Sequence, residues 1–151
     1  MTPTNLIKAL ARELREVLKG FKLLAEYQAD RKVRVYEQIM PLAEQKDDTF
    51  FPNVLIDLVQ IDENGTDSIA IINLNIAVYA GENEEGWQDL LNIMERIRQF
   101  ILTHPIIDEK FPLEMPATFV PRPPAEQPEP FFYCDCIVRY RLATPRVSLD
   151  F

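Results

Sequence analysis

The chain has 151 residues, 47% of them hydrophobic, which suffices for one globular domain with a core of its own. Its formal net charge of -8 disfavours general binding to the nucleic-acid backbone, because that binding needs clustered cations. No apolar run approaches the roughly 18 residues of a membrane span, and the N-terminus lacks the apolar core of a secretory signal. We therefore expect a soluble protein that is not exported and does not contact a membrane.

The first predicted element is an amphipathic helix that begins at Thr2 or Thr4, carries Pro3 in its first turn and ends near Gly20. Its apolar stripe contains Leu6, Leu10, Leu14, Val17, Leu18 and Phe21. The opposite side, here named the basic ridge, contains Lys8, Arg12, Arg15, Lys19 and Lys22. A solvated helix face explains this ridge, and contact with an acidic patch on another copy or partner is the alternative.

Three strands are predicted next. A short edge strand covers Val33 to Met40, where Pro41 ends it, and residues 43–49 are predicted as a loop. Two stronger strands span residues 53–62 and 68–80, and the Asn64-Gly65 pair between them predicts a hairpin with a type I′ turn. The hairpin tip is acidic because it contains Asp62, Glu63 and Asp67. Alternate residues of the second strand should lie under a helix, and the remaining ones, including two asparagines, should face water or another subunit.

The longest helical pattern covers residues 86–104. The predicted buried arc of this helix contains Trp87, Leu90, Leu91, Met94, Ile97 and Ile101, and it is widened at one edge by Ile93 and Phe100 and at the other by Leu102. Asn83 is a predicted cap, and the acidic residues of segment 82–85 suit the positive end of the helix dipole. Arg98 breaks the pattern because it falls on the apolar side, where it either extends to the helix edge or meets a buried carboxylate or carbonyl.

Seven prolines between residues 112 and 130 predict a rigid, extended loop or arm, with one short segment near residues 117–120 able to pair at a sheet edge. The last predicted strand, residues 131–142, places Cys134 and Cys136 on one face. They are too far apart along the strand for a disulfide, so buried free thiols are expected, and a Cys-x-Cys metal pair is the alternative. The predicted fold is one α+β domain over residues 1–151, with α-β-β-β-α-β order and two helices on a mainly antiparallel, four- to five-stranded sheet.

No arrangement typical of catalysis or cofactor binding is present in the sequence. It contains no nucleophile with a matching base, no phosphate-binding glycine loop and no zinc signature, and its only histidine is His104. The acidic residues of segment 82–85 lack the spacing of a calcium loop. We therefore expect a protein that is not an enzyme and that needs no catalytic residue, cofactor or metal.

Several phrases resemble the tail terminator proteins of long-tailed phages and prophages. The phrases are Gly86-Trp87-x-Asp89-Leu90-Leu91-Asn92-x-x-Glu95-Arg96-Ile97-Arg98, Phe111-Pro112-Leu113 with Pro116, Glu126-Gln127-Pro128-x-Pro130-Phe131, and Pro145-Arg146-Val147. The resemblance implies a structural protein whose copies form a ring, usually a hexamer. The ring caps the finished tail tube, ends tail polymerisation and joins the tail to the head connector. The implied partners are other copies of the chain, the tail tube protein and the head completion or connector protein.

The resemblance places the protein at the tail-neck junction of the virion, and in the host cytoplasm during assembly. DNA would pass through the ring without direct binding. We expect subunit contacts between Lys8, Arg12, Arg15 and Lys19 of one copy and the acidic hairpin tip of the next, with Arg122 as a further interface candidate. Trp87, Arg98, Asn64 and Gly65 are predicted to be structural. The alternatives are a head-tail connector or neck adaptor, and a monomeric module whose proline-rich arm binds a host protein.

Overall fold

The computed structural model describes residues 2–24, 31–79, 86–122 and 130–145. Its one sheet has six strands in the order β1-β2-β3-β6-β5-β4. In chain order the elements are α1 (Pro3–Leu18), β1 (Arg34–Glu37), α2 (Leu42–Gln45), β2 (Asn53–Glu63), β3 (Ser68–Tyr79), α3 (Gly86–Thr103), β4 (Ile106–Ile107), β5 (Phe111–Pro121) and β6 (Phe131–Leu142). The predicted α+β class is confirmed. The sheet differs from the prediction in two ways: it is mixed, because β1 runs parallel to β2, and it has six strands, because it includes the two-residue β4, which was not predicted.

Helix α1 forms as its sequence predicts. The Thr2 hydroxyl accepts a hydrogen bond from the Asn5 backbone N–H at 3.1 Å, which caps the first turn. The leucines of the apolar stripe are almost completely buried. The helix ends just before Gly20, whose positive φ of 75° is a conformation that glycine adopts without steric cost.

The β2–β3 hairpin is confirmed, but its turn differs from the predicted one. A type I′ turn needs positive φ at both central residues, and in this loop only Gly65 has it, with φ 90°. Asn64 contributes differently, because its side-chain oxygen accepts from the backbone N–H groups of Thr66 at 3.0 Å and Asp67 at 2.7 Å. Both residues are therefore structural, through two different mechanisms.

Strand β1 is an edge strand that ends earlier than predicted. Gln38 has a positive φ of 64° and turns the chain away from β2. Beyond this turn, the Gln38 side chain makes the hydrogen bonds to β2: its Oε1 accepts from Leu58 N, and its Nε2 donates to Asp57 Oδ1, both at 2.8 Å. The predicted loop at residues 43–49 instead contains α2 and a short 3-10 helix, Asp48–Phe50.

Helix α3 has nearly the predicted length, but it buries a different face from the predicted one. Its buried residues are Gly86, Asp89, Leu90, Ile93, Ile97, Phe100 and Ile101, which places the centre of the buried arc roughly 70° from the predicted one at 100° per residue. Trp87, predicted to be buried, is 51% exposed. Asp89, predicted to face solvent, is buried and accepts from Leu24 N at 2.6 Å. The Asn83 cap lies outside the described residues.

The described part of the proline-rich segment is mostly strand. β5 runs from Phe111 to Pro121 and pairs with β6. The predicted loop or arm was therefore wrong over most of these residues, whereas the pairing predicted near residues 117–120 does occur. The prolines are tolerated because Pro112 pairs only with the two-residue β4, Pro116 lies at a break in register between Glu114 and Thr118, and Pro121 ends the strand. The prolines at 123, 124 and 128 lie outside the described residues.

The two long helices pack on the same face of the sheet, and this layer is the main core. The sheet contributes fully buried side chains from its three central strands, namely Val54, Ile56, Ala70, Ile72, Leu74, Ile76, Val78, Cys134, Cys136, Val138 and Tyr140. The predicted inward face of β3 is therefore confirmed, as are the two buried free thiols. No helix within the described ranges is long and apolar enough to cross a membrane.

Candidate assembly surfaces

The opposite side of the sheet, here named the open face, is not covered by α1 or α3. Its strands place Leu55, Asp57, Ile71, Asn73, Asn75, Asp135 and Ile137 there, all partly exposed. A small cluster of Met40, Phe51 and Ala77, with the rings of Phe131 and Tyr133 against it, covers one end. The open face thus mixes apolar side chains with polar side chains that hydrogen bonds hold in place.

Asp135 organises the polar part of the open face. Its Oδ1 accepts from Asn73 Nδ2 at 3.1 Å and from Asn75 Nδ2 at 3.0 Å, and its Oδ2 accepts from Arg122 Nε at 3.4 Å. Burial alone would raise the pKa of Asp135, but the hydrogen bonds from the two asparagines and the charge of Arg122 together lower it below its usual range. The carboxylate is therefore ionised and holds both asparagine side chains in fixed orientations.

A cavity of about 260 Å³ opens on the same face. It lies where β2 and β6 begin and β3 ends, and it is lined by Met40, Gln45, Phe51, Asn53, Leu55, Asn75, Ala77 and Tyr133. Apolar walls with a few convergent amides are typical of a site for a mainly apolar group with one polar atom. The sequence pattern did not reveal this cavity, because its walls come from four segments whose register no local signal gives.

One apolar side of α3 does not face the sheet and is left uncovered. This α3 flank contains Trp87, Leu91 and Leu102, of which Trp87 is 51% and Leu102 is 40% exposed. The chain following α1 lies on a different side of the helix, where the Arg96 guanidinium is 5.8 Å from the Phe21 ring centroid. The broad apolar arc in the sequence therefore serves two surfaces, of which one is buried and the other faces outward.

The basic ridge is partly neutralised within its own subunit. Lys8 and Arg15 pair with Glu37 at 3.6 and 3.5 Å, and Arg12 pairs with Asp108 at 3.3 Å. Such exposed pairs contribute little to stability and exchange partners easily, so they do not prevent an intermolecular contact. Lys19 is exposed at the end of the helix.

The acidic hairpin tip contacts its own two strands and the neighbouring strand β6. Asp67 pairs with Arg141 at 3.8 Å, Ser68 Oγ donates to Glu63 at 2.6 Å, and Gln60 donates to Asp62 at 2.8 Å. Across the described residues, no ion pair joins the tip to the basic ridge, so the predicted contact between them requires two copies. It stays a prediction.

Arg98 extends to the helix surface rather than into a buried pair. Its guanidinium donates to both carboxylate oxygens of Glu95, at 2.8 and 2.9 Å, and both side chains are 42% exposed. These hydrogen bonds, with one from Gln99, lower the pKa of Glu95 to about 2. Arg122 stacks over the Tyr133 ring at 4.6 Å besides contacting Asp135, so this predicted interface residue belongs to the open face.

Clusters of potential metal ligands are absent from the residues that the structure describes. In those ranges no group of three or more His, Cys, Asp or Glu side chains has a geometry that would hold a metal ion. Segment 82–85, whose carboxylates were assigned to helix capping, lies outside the described residues, as do residues 126–128 and 146–147 of the phage-like phrases. The absence of enzymatic activity stays a prediction.

Comparison with known proteins does not assign a family. No family model matches this chain, and no curated protein matches it significantly.

Proposed function

We propose that the chain is a structural protein of a long-tailed phage or prophage, a tail terminator. Its copies form a ring, most simply a hexamer, that caps the tail tube, ends its polymerisation and joins the tail to the head connector. The partners are then the chain itself, the tail tube protein and the head completion protein. The complex is located at the tail-neck junction, and it assembles in the host cytoplasm.

One observation carries this proposal: the two sides of the sheet present two different surfaces. The open face lies on one side, and the helix layer with its basic ridge and α3 flank lies on the other. A closed ring needs a heterologous interface, in which one patch meets a different patch on the next copy. A sheet braced by two helices on one face and open on the other meets that need.

Electrostatics favours the same kind of contact. Two copies that each carry a net charge of -8 repel one another, so association needs local complementarity or a large neutral surface. The basic ridge and the acidic hairpin tip supply opposite charges, and on the open face the charges of Asp135 and Arg122 are paired within the subunit. Salt should therefore change the assembly rate more than the final affinity.

Negative-stain microscopy of the purified chain, alone and mixed with purified tail tubes, tests the proposal. A tail terminator gives rings of one size that bind tube ends and stop added tube protein from extending them. Rings that bind the head connector but not the tube would identify a neck adaptor instead. A protein that stays monomeric at every concentration and binds neither partner would contradict ring formation and favour the binding-module alternative.

A further inference from the structure

Trp87 has the largest side chain among the exposed hydrophobic residues in the described part of the chain. It is the only tryptophan in the chain, it lies in the first turn of α3, and half of its surface is exposed. Large aromatic side chains are costly to leave in water and are enriched at the centres of protein interfaces. Leu91 on the same flank extends this apolar area along the helix.

The cavity on the open face has the size and lining to receive such a side chain. A cavity of about 150 Å³ is enough to bind benzene, so about 260 Å³ accommodates an indole ring. A buried indole N–H also needs an acceptor. Asn75 uses its Nδ2 group on Asp135, which leaves its Oδ1 as an acceptor beside the cavity.

Trp87 and the cavity lie at the same end of the sheet but on opposite sides. The C-terminal end of α3 leads into β4, which pairs with the start of β5, and β5 begins opposite Tyr140 near the start of β3. The 18 residues of α3 span about 27 Å, which carries its first turn back toward the end of β3. The cavity lies at that same end.

We propose that Trp87 of one copy inserts into the open-face cavity of the next copy. This contact rests on the ring proposed above and identifies the side chains that close it. In a closed ring, neighbouring copies are related by rotation about the ring axis without translation along it. If that axis runs along the strands, the two complementary patches must lie at the same height along the strands. Trp87 and the cavity meet that condition, and their positions on opposite sides make the contact heterologous.

Fluorescence and mass measurements on the same samples test the contact. Because Trp87 is the only tryptophan, its emission reports on one position: it should move to shorter wavelength and become protected from acrylamide quenching as the oligomer forms with rising concentration. Trp87→Ala should raise the dissociation constant of assembly by about 30-fold or more, the effect of truncating an interface hot spot. The matched control is Val59→Ala in β2, an exposed aliphatic side chain outside the α3 flank and the cavity, and it should change the dissociation constant by less than about threefold.

Ala77 lines the cavity, so Ala77→Leu fills part of the space that the indole would occupy. This variant should raise the dissociation constant of assembly about as much as Trp87→Ala does. Each interface variant keeps one intact surface, so mixing Trp87→Ala with Ala77→Leu should give a one-to-one dimer and no ring. Rings that assemble with unchanged Trp87 emission, and Trp87→Ala rings of unchanged affinity, would overturn this contact and leave the ring proposal standing. A wild-type chain that stays monomeric would overturn both.

Discussion

Asp135 is the residue through which the order of the open face can be tested most quantitatively. Replacing it with alanine removes one charge and three hydrogen bonds, and it leaves the amides of Asn73 and Asn75 without their acceptor. Hydrogen bonds to a charged group contribute about 1.5–3 kcal/mol each, but the Asp135 side chain is 26% exposed and the three bonds are not additive. We therefore expect the free energy of unfolding to fall by about 2–4 kcal/mol.

The isosteric variant Asp135→Asn isolates the contribution of the charge. The folded state lowers the pKa of Asp135, so ionisation stabilises the fold above the unfolded pKa of about 3.9, and that stabilisation is lost as pH falls through the folded pKa. The difference in unfolding free energy between wild type and variant should be largest near neutral pH and should shrink below about pH 4.

Urea denaturation followed by circular dichroism at pH 7 and pH 3 measures this difference, at a protein concentration where the oligomeric state is the same. A difference that does not depend on pH would refute the conclusion that Asn73, Asn75 and Arg122 hold the carboxylate ionised.

Three further predictions concern residues with different roles. Arg98→Met should leave the free energy of unfolding within about 1 kcal/mol of wild type, because its ion pair is exposed, and the pKa of Glu95 measured by NMR should rise from about 2 toward its ordinary value; aggregation of the variant would contradict this. Tyr140→Phe should leave the free energy of unfolding unchanged or raise it by up to about 1 kcal/mol in thermal unfolding, because the buried Tyr140 hydroxyl makes no hydrogen bond within the described residues. A large loss of stability would mean that the hydroxyl has a partner. The double variant Arg12→Glu, Arg15→Glu should weaken ring formation at low salt, whereas an unchanged oligomer mass would remove the basic ridge from the interface.

The sequence predicts the elements with strong local signals well. Helix α1, the β2–β3 hairpin and β6 follow from a cap, a 3.6-residue or two-residue period, and an Asn-Gly pair, all of which act over a few residues. The identity of the inward face of β3 follows in the same way. These features depend little on which other segments the chain meets in the fold.

The errors arise where distant segments decide the outcome. In α3 the sequence offers one wide apolar arc, and only the position of the sheet and of the chain after α1 decides that Ile93 and Phe100 are buried while Trp87 is not. In β5 the prolines argue against a strand until the register break at Pro116 is known. The parallel pairing of β1 and the cavity walls depend on register between strands, which a single sequence does not specify.

The proposed ring is tested most directly by native mass spectrometry of the purified wild-type chain over a range of concentrations. We expect one closed oligomer, most simply a hexamer, without the continuous ladder of larger species that an open filament would produce. A chain that remains monomeric at all concentrations, or that polymerises without closing, would contradict the proposal.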